Sequence, residues 1–328
     1  MYIPPFTVST KAINLIAEIS SQIERYAIRM EQNDALLLRK VNRIKTIYSS
    51  LAIEGNKLTE SEVTDIINGK TIVAPLREIQ EVKNALKAYE AYSSLNVFSS
   101  KDLLKAHGMM MEALTDDAGH FRKGGVGVFS DTHLIHMAPP SERVPILIED
   151  LFHWLKLSKD HLLIKSCVFH YEFEFIHPFS DGNGRMGRMW QSLILSKLHP
   201  VFEHLPVENM VYNNQQEYYN AIAESTKQSN SGVFIDFMLN EILDALKRKQ
   251  GNLIVGTNNG TNNGTNKDNE IAILNCIRNN KEITLDELSV LVNKSRRTIV
   301  RIVNRLQNEN KLKRIGSTRS GYWKIVEQ

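Results

Sequence analysis

Apolar residues recur at intervals of three and four through most of the first 250 positions, the spacing that lines one face of an α-helix. Ile16, Ile19, Ile23, Ala27 and Met30 make one such face. Leu37, Val41, Ile44, Tyr48 and Leu51 make a second, ended by Gly55 where a helix C-terminus accepts positive φ. Thr59 and Glu62 form a capping-box pattern that opens a third helix closing near Gly69. The same periodicity predicts helices over 78–95, 101–114, 145–157, 160–176, 184–197, 215–228 and 232–248. One interval breaks the habit. GGVGVFSDTHLIHMAPP, residues 124–140, combines glycines, β-forming residues and terminal prolines, and predicts a β-hairpin or flap, the only strand-like region before residue 250. GTNNGTNNGTN, Gly256 to Asn266, offers nothing apolar to bury and reads as a flexible linker. Beyond it, Glu270–Asn279, Leu285–Val292 and Ser295–Asn308 read as three helices, the last with Ser295 as N-cap, and LKRIGSTRSGYWKIVE as two strands around a Gly-Ser turn.

At 328 residues the chain is long enough for more than one domain. With 42% apolar and 23% charged residues it is neither a disordered composition nor one with an apolar run that spans a bilayer. The start, MYIPPFTVSTK, has no basic segment leading into an apolar one, so a cytoplasmic, membrane-free protein is expected. Cys167 and Cys276 lie in apolar helical contexts and read as reduced, packed thiols. Charge changes the picture more. Residues 267–328 hold 13 Lys and Arg against 7 Asp and Glu, a net of +6, while the whole chain is +3, which leaves about −3 for residues 1–266.

The chemistry concentrates in His177-Pro178-Phe179-Ser180-Asp181-Gly182-Asn183-Gly184-Arg185-Met186-Gly187-Arg188, a polar loop between two apolar helices. A loop feeding a helix N-terminus exposes unpaired N–H groups at the positive end of the helix dipole, an anion site. Gly182 and Gly184 let backbone approach a phosphate with no Cβ in the way, and Arg185 and Arg188 aim fixed charge at it. Asp181 is a carboxylate suited to Mg²⁺, a hard cation that bridges phosphates. His177 has the pKa range of a general base for an incoming hydroxyl. A turn, a packed histidine and solvated arginines would explain each feature alone; their concentration in twelve residues favours function.

HPFSDGNGRMGR resembles the HPFx(D/E)GNGRxxR signature of Fic proteins at every fixed position, and His170, Phe173 and Ile176 fit the approach to it; the similarity covers about residues 10–248. The resemblance implies an all-α Fic core with a small β-hairpin flap, and transfer of AMP from Mg-ATP to a Ser, Thr or Tyr hydroxyl of a target protein. It makes His177 the base and Asp181 the Mg²⁺ ligand. Gly182, Asn183 and Gly184 become the α- and β-phosphate cradle, with Arg185 and Arg188 on the outer phosphates. Thr132, His133, Leu134 and Ile135 become the flap strand bordering nucleotide and target, and Tyr218 and Tyr219 resemble an adenine-side pair, with core aromatics as the other reading. His133 and His136, without further ligand residues, read as hairpin surface rather than metal site. Ser50, Glu54 and Gly55 match the inhibitory (S/T)xxxE(G/N) motif, in which Glu54 pairs with Arg188 in place of the γ-phosphate; the same glutamate could instead position water to remove AMP. Doc-type toxins, which phosphorylate, carry Lys where this chain has Gly184, and that glycine argues for AMP.

The tail resembles a winged helix-turn-helix, with Arg296, Arg297, Arg301 and Arg305 along its third helix and Ile299, Ile302, Val303 and Leu306 on the buried face. Such a helix suits duplex DNA; a winged helix used for dimerisation or protein docking is the other reading. The expected organisation is N-terminal helices with the inhibitory motif over 1–95, catalytic core over 96–250, linker over 251–267 and a C-terminal winged helix-turn-helix domain over 268–328. A nucleotide-sensing regulator without transfer activity, or an enzyme of phosphotransfer or AMP removal, remains the alternative. The sequence leaves homo-oligomerisation open.

Overall fold

A computed structural model describes residues 2–32, 35–130, 133–203, 205, 207–254, 270, 273–274, 276–278, 280–281, 283–292, 294, 296–309, 311–316 and 322–326. The chain divides into two units, Met1–Lys247 and Arg248–Gln328. The predicted linker at 256–266 and the Ser295 cap lie outside the described residues.

The first unit is helical, with elements α1 (Thr10–Gln32), α2 (Ala35–Ile53), α3 (Glu60–Ile67), α4 (Leu76–Glu90), α5 (Ser100–Met110), α6 (Val144–Leu157), α7 (Leu162–Ile176), α8 (Asn183–Ser196), α9 (Val207–Asn213), α10 (Gln215–Gln228) and α11 (Gly232–Ile254). Its centre is the α7–α8 pair. α7 is apolar nearly all round, as a helix enclosed on every side should be, and buries Cys167, Phe169, Phe173 and Ile176. α8 answers with Met186, Met189, Trp190 and Leu193, each at most 1% exposed. Burying an aromatic such as Phe169 stabilises by roughly 1.5–3 kcal/mol, and an Ala there would cost about 3–5 kcal/mol once the cavity is included. α6 closes one side, with Phe152 edge-on to both Phe169 and Trp190. α2 crosses the other side and reaches α8.

The capping box that opens α3 is present: Glu62 N–H donates to Thr59 Oγ1 at 3.2 Å and Thr59 N–H to Glu62 Oε2 at 2.8 Å. Gly55 and Gly69 both take positive φ, at 88° and 78°. The predicted hairpin is β1 (Gly127–Ser130) antiparallel to β2 (His133–Met137), with a bulge between Val128 and Phe129. Two boundaries differ from expectation. α4 stops at Glu90 rather than 95, because a 3-10 turn over Tyr92–Ser94 swings Leu95 into the core. α5 stops at Met110 rather than 114, where Ala113 adopts φ 59°. Among the described residues no helix is long and apolar enough to cross a membrane.

In the second unit, α12 (Leu285–Leu291) and α13 (Arg296–Asn308) precede an antiparallel wing, β3 (Leu312–Ile315) and β4 (Tyr322–Ile325). Thr284 and Glu287 cap α12 reciprocally. Ile299, Ile302, Val303 and Leu306 are buried as their spacing requires, and Trp323 locks the wing by donating to the Ile283 carbonyl at 2.9 Å.

Candidate active site

The loop between α7 and α8 is built by its own side chains. Asn183 closes it, its Oδ1 accepting from Phe179 N–H at 2.9 Å and its Nδ2 donating to Phe179 carbonyl at 2.8 Å. Gly182, at φ 84°, is the N-cap of α8 and no side chain caps it, so the loop leads into a helix N-terminus whose first N–H groups lack intrahelical partners. A Cβ at Gly182 would lie 2.8 Å from Met111 Sδ, so the position requires glycine twice over. Beneath, the His107 ring stacks on Phe179 at 3.6 Å between centroids. Gly119 N–H donates to His107 Nδ1 at 2.9 Å, which leaves Nε2 carrying the proton and donating to the Asp181 carbonyl at 3.0 Å. Burial holds the His107 pKa down to about 4, so the ring is neutral and this tautomer persists.

Both motif arginines are buried, at 2% exposure. Arg185 donates to Asp181 Oδ1 at 3.0 Å, and its Nε and Nη1 are buried without a protein partner. Arg188 donates from Nη2 to Glu54 Oε1 at 2.7 Å and to the Ser50 carbonyl at 3.1 Å; its Nε is likewise unpartnered. Burial is the largest influence and works against the Arg188 charge, but Glu54, with Tyr218 and Glu174, together hold the guanidinium above its ordinary pKa. Gly184 lies under this pair: a Cβ there would sit 2.6 Å from Glu54 Oε1 and 2.9 Å from Arg188 Nη1. Ser50, Glu54 and Gly55, distant in sequence, are thus brought onto the loop by the end of α2.

His177 follows α7 in the left-handed region, φ 50° and ψ 61°, an uncommon conformation for a residue with a Cβ. Arg122, which sequence reasoning missed, fixes it. Its guanidinium donates to the carbonyls of His177 (2.7 Å), Gly124 (2.7 Å) and Pro139 (2.5 Å), tying the base loop to both ends of the hairpin. β2 runs beside α10. His133, Leu134 and Ile135 belong to β2 by backbone, while Thr132 lies outside the described residues.

The tyrosine pair divides. Tyr218 is a core residue, 3% exposed with its hydroxyl 3.0 Å from His170 Nε2, in keeping with the core-aromatic reading of the two left open. Tyr219 is half-buried, edge-on to Tyr218 at 5.3 Å. Arg77 was also missed. It reaches Asp181 Oδ2 at 3.5 Å and, with Glu54, Asn56, Glu81, Asp181 and Arg185, lines a cavity of about 220 Å³ beside the loop. A larger cavity, about 540 Å³, lies around Arg43, Tyr92 and Glu208; it lacks the loop's anion-binding geometry, so the smaller one is the candidate site. In the second unit, Arg296, Arg297 and Arg301 are exposed. Arg305 is partly exposed and pairs with Glu270 inside its own domain.

A Fic/DOC family model matches residues 97–195, and a winged helix-turn-helix DNA-binding model matches 267–313. The crystal structure of a Fic family protein from Desulfovibrio desulfuricans G20 is 39% identical, covering 100% of this chain and 99% of that one at a TM-score of 0.74. The chain belongs to the Fic family. Curated Fic relatives include Protein adenylyltransferase Fic of Nematostella vectensis, 31% identical over 57% of this chain and 43% of its own length. The probable protein adenylyltransferase aq_aa38 of Aquifex aeolicus is 30% identical over 54% of this chain and 52% of its own. The chain spans about half the length of the curated relatives it matches. Fic-1 of C. elegans shares the fold at a TM-score of 0.60 and 18% identity.

Proposed function

We propose that this Fic protein is a protein adenylyltransferase that moves AMP from Mg-ATP onto a hydroxyl side chain of a target protein, and that Glu54 restrains it. The observation that carries this reading is the Glu54–Arg188 ion pair closed over Gly184, on the same loop that ends at His177. The names of the curated relatives support the transfer.

The loop fits a polyphosphate. Three buried guanidinium N–H groups, Nε and Nη1 of Arg185 and Nε of Arg188, point to missing anionic partners, because buried donors are nearly always paired. Asp181, 42% exposed at its side chain, fits Mg²⁺, which is commonly held by one or two carboxylates together with substrate phosphates. Bound there, the ion would neutralise phosphate charge. Gly182, Asn183 and Gly184 shape the cradle for the α- and β-phosphates, the flap strand with His133, Leu134 and Ile135 borders nucleotide and target, and Tyr219 lies on the adenine side. His177 Nδ1 lies 3.3 Å from the Glu174 carbonyl, an oxygen that only accepts, so Nε2 takes the hydroxyl proton. The hydroxyl oxygen then bonds to the α-phosphorus as the bond to pyrophosphate breaks. Glu54, by holding Arg188, occupies the outer-phosphate position and keeps the α-phosphate out of line. Phosphotransfer is the weaker reading, since Gly184 leaves no room for a longer side chain.

The test is transfer from differently labelled ATP to protein by Glu54→Gly. Retention of α-label without γ-label is expected; γ-label on the target would establish phosphotransfer instead. For the tail, we propose duplex DNA as partner through Arg296, Arg297 and Arg301.

A further inference from the structure

Glu174 is a buried carboxyl group that the steps above leave unused. It lies one turn before His177 on α7 and is 6% exposed. Its Oε2 is 3.9 Å from His177 Nδ1, the nitrogen opposite the proton-accepting one, and its Oε1 has no hydrogen-bond partner. The carboxyl group is accommodated because residue 187 is glycine: a Cβ there would stand 2.5 Å from Glu174 Oε1. That gives Gly187, the one motif glycine outside the phosphate cradle, a physical purpose.

We propose that Glu174 is a positioning residue for His177, which fixes the imidazole tautomer and stabilises the imidazolium that forms when Nε2 takes the hydroxyl proton. The inference rests on the transfer reading for its catalytic consequence, but not for its geometry. His177 cannot orient itself at the mouth of a loop; two acceptors of the same residue, the backbone carbonyl at 3.3 Å and the carboxyl group at 3.9 Å, face Nδ1. The carboxyl lies about an ångström beyond hydrogen-bond length, and it closes on the ring as the ring gains charge.

The surroundings bias the pair. His170, from α7, is 3.8 Å from Glu174 Oε1, yet it is neutral: burial holds its pKa down to about 4, its Nδ1 meets Gln191 Oε1 at 2.6 Å, and its Nε2 meets the Tyr218 hydroxyl. Arg188 from α8 favours the Glu174 carboxylate, while Glu54 from α2 opposes it. Tyr218 and Tyr219 from α10 also face it. Burial is the largest influence and pushes the Glu174 pKa up to about 8. A positive charge forming on the neighbouring imidazole favours the carboxylate against that burial.

The experiment uses the full chain in the Glu54→Gly background. Glu174→Gln keeps the volume, and Gly187→Ala displaces the carboxyl from the other side. The His177 imidazole is followed by NMR titration, with its signals assigned by His177→Gln, and AMP transfer is measured against pH. Both variants should lower the His177 pKa by about one unit, equivalent to a tenfold change in proton affinity. The pH limb of kcat should move the same way, with KM for ATP unchanged. An unaltered His177 pKa in a folded Glu174→Gln protein overturns the proposal whether or not AMP is transferred. A lowered pKa with no AMP transfer in the parent would support the pair and refute the transferase reading.

Discussion

The Glu54 carboxylate holds Arg188 in an ion pair, and under the proposed function that pair restrains transfer. Because the pair is charge-assisted, 2.7 Å long and almost wholly buried on the arginine side, removing it is worth about 1.5–3 kcal/mol, roughly 10- to 100-fold in rate if all of it returns to nucleotide alignment. Glu54→Gly should raise AMP incorporation into the protein itself by that factor, measured by mass spectrometry; an equal rate in parent and variant would remove Glu54 from the account. His107 offers a second residue-scale expectation. His107→Phe keeps the stacking on Phe179 but loses the bonds to Gly119 and the Asp181 carbonyl, and should destabilise the loop by about 1–3 kcal/mol, read as faster amide exchange at 181–184. His177, Asp181, the glycines and both arginines were legible as one loop because they fall within twelve residues. His107, Arg122 and Arg77 were not, since they reach the loop from 104 to 55 positions away and carry no local pattern.

Among the elements, helices announced themselves wherever one face alternates with solvent. α9 did not: at seven residues it has too few turns for a period to register. Tyr218 and Tyr219 show the limit of a linear reading, since adjacent positions on α10 differ in burial, one in the core and one half-buried. Arg305 shows it again on α13. Its neighbours Arg297 and Arg301 are exposed, while Arg305 is partly exposed and paired with Glu270 of its own domain. Arg297→Ala and Arg301→Ala should therefore each weaken duplex binding similarly across sequences and reduce the salt slope by about 0.9. Arg305→Ala should chiefly lower the melting temperature of the tail domain. Equal loss of DNA affinity from all three, with no change in melting, would return Arg305 to the binding face.

At the scale of the whole molecule, buried carboxyls and imidazoles set opposite pH limits on the first unit. Burial pushes Glu172, Glu174 and Glu208 up to about 7, 8 and 7, so the folded state keeps protons that the unfolded chain releases above about 4.5, and stability falls as pH rises toward 8. His107 and His170, both held down to about 4, stay neutral where the unfolded chain protonates, so stability falls as pH drops from about 6.5 to 4. Between about pH 4.5 and 6.5 the three carboxyls outweigh the two imidazoles, so calorimetry should find the unfolding temperature highest near pH 4.5 and declining toward pH 8, with Glu174→Gln softening the alkaline decline; a steady rise to pH 8 would contradict these burial effects. The first unit assembles around α7 and α8, which carry His177, the glycines and the arginines between them, while Glu54 arrives from the end of α2. The most direct measurement is AMP incorporation from α-labelled ATP by Glu54→Gly beside Glu54→Gly/His177→Ala. Label on protein hydroxyls in the first, and at least about a hundredfold less in the second, is expected; equal labelling by both, or none by either, would contradict the account.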